Sequence, residues 1–287
     1  MNRTTKARRA TLHSDRSRQG LGRGSRLTGT RSVTRGRGFG VDIGGSGIKG
    51  APVDLREGAF LGDRLRIPTP SPSTPEAVAP VVGHIVRSFG RASGRHPVGV
   101  TFPAVIQHGV ARTAANVDKA WIGVDVDDLL TAELGRPVHV VNDADAAGLA
   151  EARFGAARGM AGTVIVCTLG TGVGSALLVD GRLVPNTELG HLEIAGEDAE
   201  VRAAESARDR DGLSWEEWAE NLQRYFSTVE DLFWPDLFVI GGGVSKKHAK
   251  YLPLLRLRTP IVPATLRNGA GIVGAALIAA ELGSRHA

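Results

Sequence analysis

The sequence predicts an α/β protein of two related lobes around a cleft. Three observations carry this. Strand-like and helix-like segments alternate along most of the chain. A strand–glycine-turn–strand unit occurs twice, as "GVDIGGSG" near residue 40 and "CTLGTGVGS" near residue 168, about 130 residues apart. The 287 residues, 42% of them hydrophobic, suffice for two modest domains, each a sheet carrying helices.

Residues 1–37 stand apart. They hold ten Arg and one Lys against one Asp, about +10, while the whole chain is +5, so the remainder carries about −5. This segment nearly lacks large apolar residues and is expected to be a disordered basic tail. Arg8-Arg9 is not followed by the apolar run of an export signal. A polyanion-binding arm and a plain unstructured extension both remain open.

The elements follow in order. "FGVDI" (39–43) reads as a buried strand and "IKGAPVDL" (48–55) as its return. Thr74 is placed to cap a helix that Pro75 opens, and Val78, Val81, Val82, Ile85, Val86 and Phe89 recur at helical spacing. "VGVTF" (98–102) and "VHVV" (138–141) are strands, the second running into "NDADAAGLAEARFGAA", a loop and helix. "TVIVCT" and "SALLVD" (175–180) flank the turn "LGTGVG" (169–174). Ser214 and Glu217 form a capping box before "WEEWAENLQRYFSTVEDLF", whose aromatic residues are read as core, with an interface as the alternative. "LFVIGGG" (237–243) is a strand entering a glycine loop, and "GAGIVGAALIAAEL" a terminal amphipathic helix. The expected division is a smaller domain over 38–143 and a larger one over 144–287. The single cysteine, Cys167, lies in an apolar run and reads as a core residue, which excludes an internal disulfide and fits a reducing, cytoplasmic setting. No apolar run approaches the roughly 20 residues of a membrane span.

Gly45, Gly47 and Gly50 spell G-x-G-x-x-G, but a dinucleotide fingerprint needs its loop to open a helix. Here "IKGAPVDL" alternates and contains Pro52, so the loop turns a hairpin. No G-x-x-x-x-G-K-[ST] exists either. Glycine permits positive φ and lets backbone amides approach an anion. An ordinary tight turn is the competing explanation. Two such hairpins facing each other, with Asp42 beside the first, would make a phosphate clamp.

That arrangement resembles the superfamily of sugar kinases, heat-shock ATPases and actin. The resemblance implies a two-domain actin-like ATPase fold with ribonuclease-H-like domains. "DIGGSGIKG" is similar to its first phosphate motif and "LGTGVG" to its second. "VVNDADAAG" looks like the segment carrying the catalytic aspartate of glucokinases. "ELGHLEI" (188–194) resembles the E-x-G-H signature of ROK-family sugar kinases, and "VIGGGVS" (239–245) the motif near the nucleotide base. The five occur in the family's order and span about 39–280. Within the family, "TFPAVIQHGV", "TLGTGVGSALLVDG" and "LRLRTPIVPA" look most like polyphosphate glucokinases and glucomannokinases of actinobacterial type.

The resemblance implies an enzyme that phosphorylates glucose or mannose at the 6-hydroxyl, with inorganic polyphosphate and ATP as donors and Mg²⁺ as cofactor. It implies a homodimer and no specific nucleic-acid or membrane partner. Asp143 would be the general base. Read from the residues alone, Asp143 and Asp145 are also both acceptable helix caps. Asn116, Asn142, Glu188, His191 and Glu200 would hold the sugar, and Asp42 would orient hydrated Mg²⁺. Gly44, Gly45, Ser46, Gly47 and Lys49 would face the transferred phosphate from one side, Gly170, Thr171, Gly172 and Gly174 from the other. Gly241, Gly242, Gly243 and Lys246 would take the rest of the donor. One departure stands out: the family's C-x-C-G-x-x-G-C segment is missing from "EIAGEDAEVRAAESARDRDG", so no zinc is expected at His191. Lys246, Lys247, Arg256, Arg258 and Arg267 form either a basic track for polyphosphate or an ordinary solvated face. A strictly ATP-dependent hexokinase and a non-catalytic sugar sensor are the alternative readings.

Overall fold

The computed structural model describes residues 36–114 and 117–283; the basic tail up to residue 35 and Asn116 lie outside the described residues, while Arg37, assigned to the tail, opens the first strand. The first half contains β1 (Arg37–Gly44), β2 (Gly47–Asp54), β3 (Ala59–Phe60), β4 (Leu65–Ile67), α1 (Pro75–Ser88), β5 (Val98–Phe102), β6 (Ile106–Gln107), β7 (Val110–Ala111), α2 (Val126–Leu134), β8 (Val138–Asn142) and α3 (Asp143–Phe154). The second contains β9 (Thr163–Leu169), β10 (Val173–Val179), β11 (Arg182–Val184), β12 (Glu193–Ile194), β13 (Glu197–Asp198), α4 (Glu200–Ala203), α5 (Glu205–Arg210), α6 (Trp215–Phe233), β14 (Leu237–Gly241), β15 (Ile261–Pro263) and α7 (Ala270–Gly283).

Two sheets repeat one plan. The first runs β3–β2–β1–β5–β8, with β4 also paired to β2. β1 and β2 are antiparallel about the Gly45–Ser46 turn, and β5 and β8 run parallel to β1. The second runs β11–β10–β9–β14–β15, with β9 and β10 antiparallel and β14 and β15 parallel to β9. The internal similarity in the sequence therefore corresponds to a glycine hairpin followed by parallel strands, twice over. β10 begins at Val173, paired with Leu169, so the second turn is only Gly170–Gly172 and Gly174 lies inside the strand.

Each sheet has its own core. Phe39, Val41, Ile43, Val98, Val100 and Val138 meet α1 and α2 residues in the first. Ile165, Cys167, Phe238 and Ile240 meet α6 in the second. α6 starts with the capping box, both Ser214–Glu217 bonds being made. Trp218, Tyr225 and Phe226 are buried, as expected of a core face, whereas Trp234 just beyond the helix is exposed. At α1, Pro75 opens the helix, but Thr74 makes no side-chain cap bond.

α7 departs from the expectation of an amphipathic helix. Residues from Ala270 to Leu277, apart from Gly271, are buried around its whole circumference. The helix packs on β1 and β5 and against α3, so the carboxyl-terminal helix serves the first sheet. Small residues make this close approach possible: a Cβ on Gly40 would overlap the Ile272 carbonyl, and one on Gly99 the Ala275 carbonyl. The carboxyl ends of β1, β5, β8, β9 and β14 all open toward the space between the sheets, where open α/β folds bind ligands.

Candidate active site

β1 carries Asp42 to that space, and the hairpin register sets Lys49 directly opposite. The Lys49 ammonium donates to Asp42 Oδ2 at 3.1 Å, and the Thr101 hydroxyl on β5 donates to Oδ1 at 2.9 Å. Thr101 is fully buried and was not legible as a site residue, since nothing in the sequence ties it to Asp42.

Asp143 is the first residue of α3, directly after β8. The question of which side chain caps this helix is resolved: Asn142 accepts from the Ala144 and Asp145 amides at 2.8 and 3.1 Å. Its amide nitrogen also donates to the Ala104 carbonyl at 3.1 Å. Asp143 is thereby released from the cap position and opens onto the cleft, with one oxygen accepting from the Ala144 amide at 2.8 Å. Although solvent reaches it from the cleft, protein crowds around it. Burial is the leading cause that pushes its carboxyl up to about 6, followed by the negative charge of Asp42 and, more weakly, Glu188; the Ala144 bond opposes them. Asp145 points elsewhere. It is buried, accepts from the Asn186 amide at 2.8 Å, and is pushed up to about 7, chiefly by burial.

The second hairpin faces Asp143 from the other lobe. A Cβ on Gly174 would meet Ala144 and the Thr168 hydroxyl, which brings this strand close to the start of α3. Glu200 Oε2 accepts from the Val173 amide at 3.0 Å and lies against Gly172. It therefore holds the second glycine hairpin as well as standing near the expected sugar residues. None of Gly44, Gly45, Gly47, Gly170, Gly172 and Gly174 has positive φ. Close approach accounts for part of this set, since a Cβ on Gly172 would meet Glu200 and one on Gly47 the Arg66 guanidinium, which donates to the Ser46 carbonyl at 2.8 Å, whereas Gly170 has open space around it.

Glu188 and His191 flank a short 3-10 turn, with His191 Nε2 3.9 Å from Glu188 Oε2. His191 Nδ1 lies 2.9 Å from Asp198 Oδ2. That bond is the main reason the imidazole is raised above its ordinary range. Burial raises the Glu188 carboxyl, His191 lowers it, and Glu200 raises it again, so the three groups share one neighbourhood. Asp198, seven residues beyond His191, is a second site residue missed in the sequence.

A cavity of about 190 Å³ between the lobes is lined by Asp42, Lys49, Asp143, Thr168, Gly241, Gly242 and Arg267, among others. Gly242 has φ +81°, and a Cβ there would overlap the Leu169 backbone, so only glycine fits. Glu151, wholly buried in α3, accepts from the Thr265 and Leu266 amides and so fixes the segment that presents Arg267. Gly243 and Lys246 are exposed, farther along the same wall. Among the described residues no group of three or more His, Cys, Asp or Glu is arranged to hold a metal by itself. Asp42 and Asp143 nevertheless interact electrostatically across the cavity. Two carboxylates together with donor phosphates fit a hydrated Mg²⁺, which keeps most of its waters.

The basic residues that would form either a track or a solvated face have different surroundings. Arg258 binds Asp231 at 2.6 Å and Glu230 at 3.4 Å and lies over Trp234, while Arg267 lines the cavity. Lys247 instead sits near Trp215.

Two glycine hairpins, a carboxylate poised at a strand–helix junction and a lysine-paired aspartate define a phosphoryl-transfer cleft of the actin-like ATPase fold. Comparison with known proteins agrees. The sequence profile of the ROK family matches residues 38–207, and the chain belongs to that family. It is 52% identical over 247 residues to the polyphosphate glucokinase of Mycobacterium tuberculosis, covering 86% of this chain and 92% of that protein. The crystal structure of an inorganic polyphosphate/ATP-glucomannokinase from Arthrobacter sp. strain KM superposes with a TM-score of 0.83 at 62% identity, over 86% of this chain and all of that one. A ROK family glucokinase from Streptomyces griseus, solved with glucose and AMPPNP, gives 0.74 at 25% identity, over 86% of this chain and 100% of that one.

Proposed function

We propose that this protein transfers the terminal phosphoryl group of inorganic polyphosphate, and also of ATP, to the 6-hydroxyl of glucose, with mannose as a second acceptor. The observation that carries the reading is Asp143, uncapped and facing the cavity between the two hairpins, in a ROK chain half identical to a polyphosphate glucokinase. Asp143 accepts the hydroxyl proton as the sugar oxygen bonds to phosphorus and the bond to the departing phosphate chain breaks. Glu188, His191 and the remaining Asn142 amide hydrogen orient the sugar. The amides of Gly170–Gly172 and of Gly45–Gly47, with Lys49 and Arg267, neutralise the transferring group. Mg²⁺, held through water by Asp42, would offset the charge on the donor oxygens. The enzyme is read as a cytoplasmic homodimer; among the described residues no helix is long and apolar enough to cross a membrane.

The test is glucose 6-phosphate formation with polyphosphate or ATP as sole donor, for wild type and Asp143→Asn. The wild type should use both donors. Asp143→Asn should lose roughly 10²–10⁴-fold in kcat with glucose binding retained by calorimetry. Turnover of the variant within about tenfold of wild type would reject the base assignment. Wild-type turnover with ATP alone would reject polyphosphate as donor. In the wild type, kcat/KM should fall as pH drops through about 6, because Asp143 then keeps its own proton.

A further inference from the structure

Beyond the cavity, cations gather on one aromatic ring. Trp215, the first residue of α6, is half-buried. The Arg208 guanidinium lies 4.0 Å from its ring centroid, the Lys250 ammonium 5.4 Å and the Lys247 ammonium 5.6 Å. Tyr251 stacks on Trp215 at 6.0 Å and 15°, and Trp218 closes the other approach edge-on at 6.0 Å, so the ring is held rigidly. An indole attracts a cation through its quadrupole, but weakly at an exposed site. Three cations repel one another more than one ring compensates. The carboxylates at hand are Asp209, which bonds Arg208 at 2.9 Å, and Glu205, whose carboxyl feels Lys247. Against these two carboxylates stand Arg208, Lys247 and Lys250.

The cluster is joined to the phosphate-transfer loop. The Ser206 amide donates to the Gly170 carbonyl at 3.0 Å, and the Ser206 hydroxyl to the Thr171 carbonyl at 2.6 Å. α5 thus starts on the second hairpin and carries Arg208 away from it. On the opposite wall, a Cβ on Gly243 would lie 3.5 Å from Glu205, and Lys247 follows four residues later. The Ser206 bonds and the Gly243–Glu205 approach therefore link Thr171 to the two segments that carry Arg208 and Lys247.

We propose that Arg208, Lys247 and Lys250 around Trp215 form a distal anchor for the trailing part of a linear polyphosphate whose terminal unit lies at the hairpins. This rests on the polyphosphate reading above. A chain of identical anionic units can occupy both places at once, and each extra contact adds without any demand for shape. ATP carries its charge on three adjacent phosphates and ends in a neutral base, so it gains nothing from cations beyond the cavity.

The experiment compares wild type with the Lys247→Ala/Lys250→Ala double variant, both side chains being exposed, and with Lys247→Arg/Lys250→Arg. KM is measured for long-chain polyphosphate and for ATP at several salt concentrations, and short RNA is offered as a competing polyanion. The alanine variant should raise the polyphosphate KM about tenfold and flatten its salt dependence, leave kcat and the ATP KM unchanged, and be rescued by arginine. An unchanged polyphosphate KM overturns the anchor. So does an equal rise for both donors, which would make these residues part of the shared donor site. Loss of RNA binding with polyphosphate KM unaltered would reassign the cluster to nucleic acid. Failure of the wild type itself to use polyphosphate would overturn the functional reading, and the anchor with it, before any variant is made.

Discussion

Replacing Asp145 by asparagine is expected to stabilise the protein, and more so as pH rises. The carboxyl is 1% exposed. Oδ2 accepts from the Asn186 amide, while Oδ1 is buried without a hydrogen-bond partner. Burial, then the nearby Glu188 and Asp143 charges, push this group to about 7 against the pull of the Asn186 bond. Because the folded-state value is raised above the unfolded value of 3.8, the folded chain binds more protons between the two. Stability is therefore fully present below about pH 4 and is lost as pH rises through about 7. At pH 8 the ionised group costs on the order of 2–4 kcal/mol. Asparagine keeps the size and the oxygen that accepts from Asn186, and carries no charge. Burying a neutral amide costs less than burying an uncompensated carboxylate. Urea unfolding of wild type and Asp145→Asn from about pH 3.5 to about pH 8 checks this. The two should converge at the acid end and separate by 2 kcal/mol or more, roughly, at the alkaline end. A difference that does not change with pH, or a wild type that is the more stable at pH 8, refutes the reasoning. Such an unfavourable charge beside the proposed base is the kind of stability that active sites forgo. Asn186, which it holds, makes two bonds of 2.9 Å to the Ile106 backbone and so ties the Glu188 loop to the first lobe.

Two further outcomes follow from the same neighbourhood. Asn142→Ala removes the α3 cap and strands the buried Ala104 carbonyl, and should cost about 2–4 kcal/mol in urea unfolding; a loss below roughly 0.5 kcal/mol would show that the cap is dispensable. Asp198→Asn removes the main cause that raises His191, so the imidazole should titrate at lower pH by NMR, and the glucose KM should rise while kcat holds; an unmoved titration would show that Asp198 does not orient the ring.

Much of the frame was legible because it obeys local rules. Strands β5 and β14 read as short apolar runs, and Ser214 and Glu217 announced α6 by chemistry confined to four residues. α7 was read wrongly because its small residues alternate with larger ones as they would on an amphipathic helix; only the sheet above it and α3 below it show that both sides are covered. The glycine hairpins were legible, but their φ values are ordinary, and steric room is what Gly172 and Gly174 supply while Gly170 has open space around it. The partners that fix the site lie far off in sequence: Thr101 is 59 residues from Asp42, and Glu151 holds an amide 114 residues away. No pattern within a window of ten or twenty residues contains such a pair.

The same distance explains why spacing could not tell Asp143 and Asp145 apart until their surroundings were known. Asp42 has both oxygens occupied, one by an ammonium and one by a hydroxyl. Asp145 is sealed away from the cavity behind its Asn186 bond. Asp143 has a backbone amide on one oxygen, two carboxylates for neighbours and an opening to the cleft. Acid and base roles separate where environments push like groups apart. Burial first and then the charge of Asp42 raise the Asp143 carboxyl, so on the proposed reading the residue that would steady the donor would also prepare the base. Loss of Lys49 would disturb both at once, because its ammonium is the charge that keeps Asp42 in place.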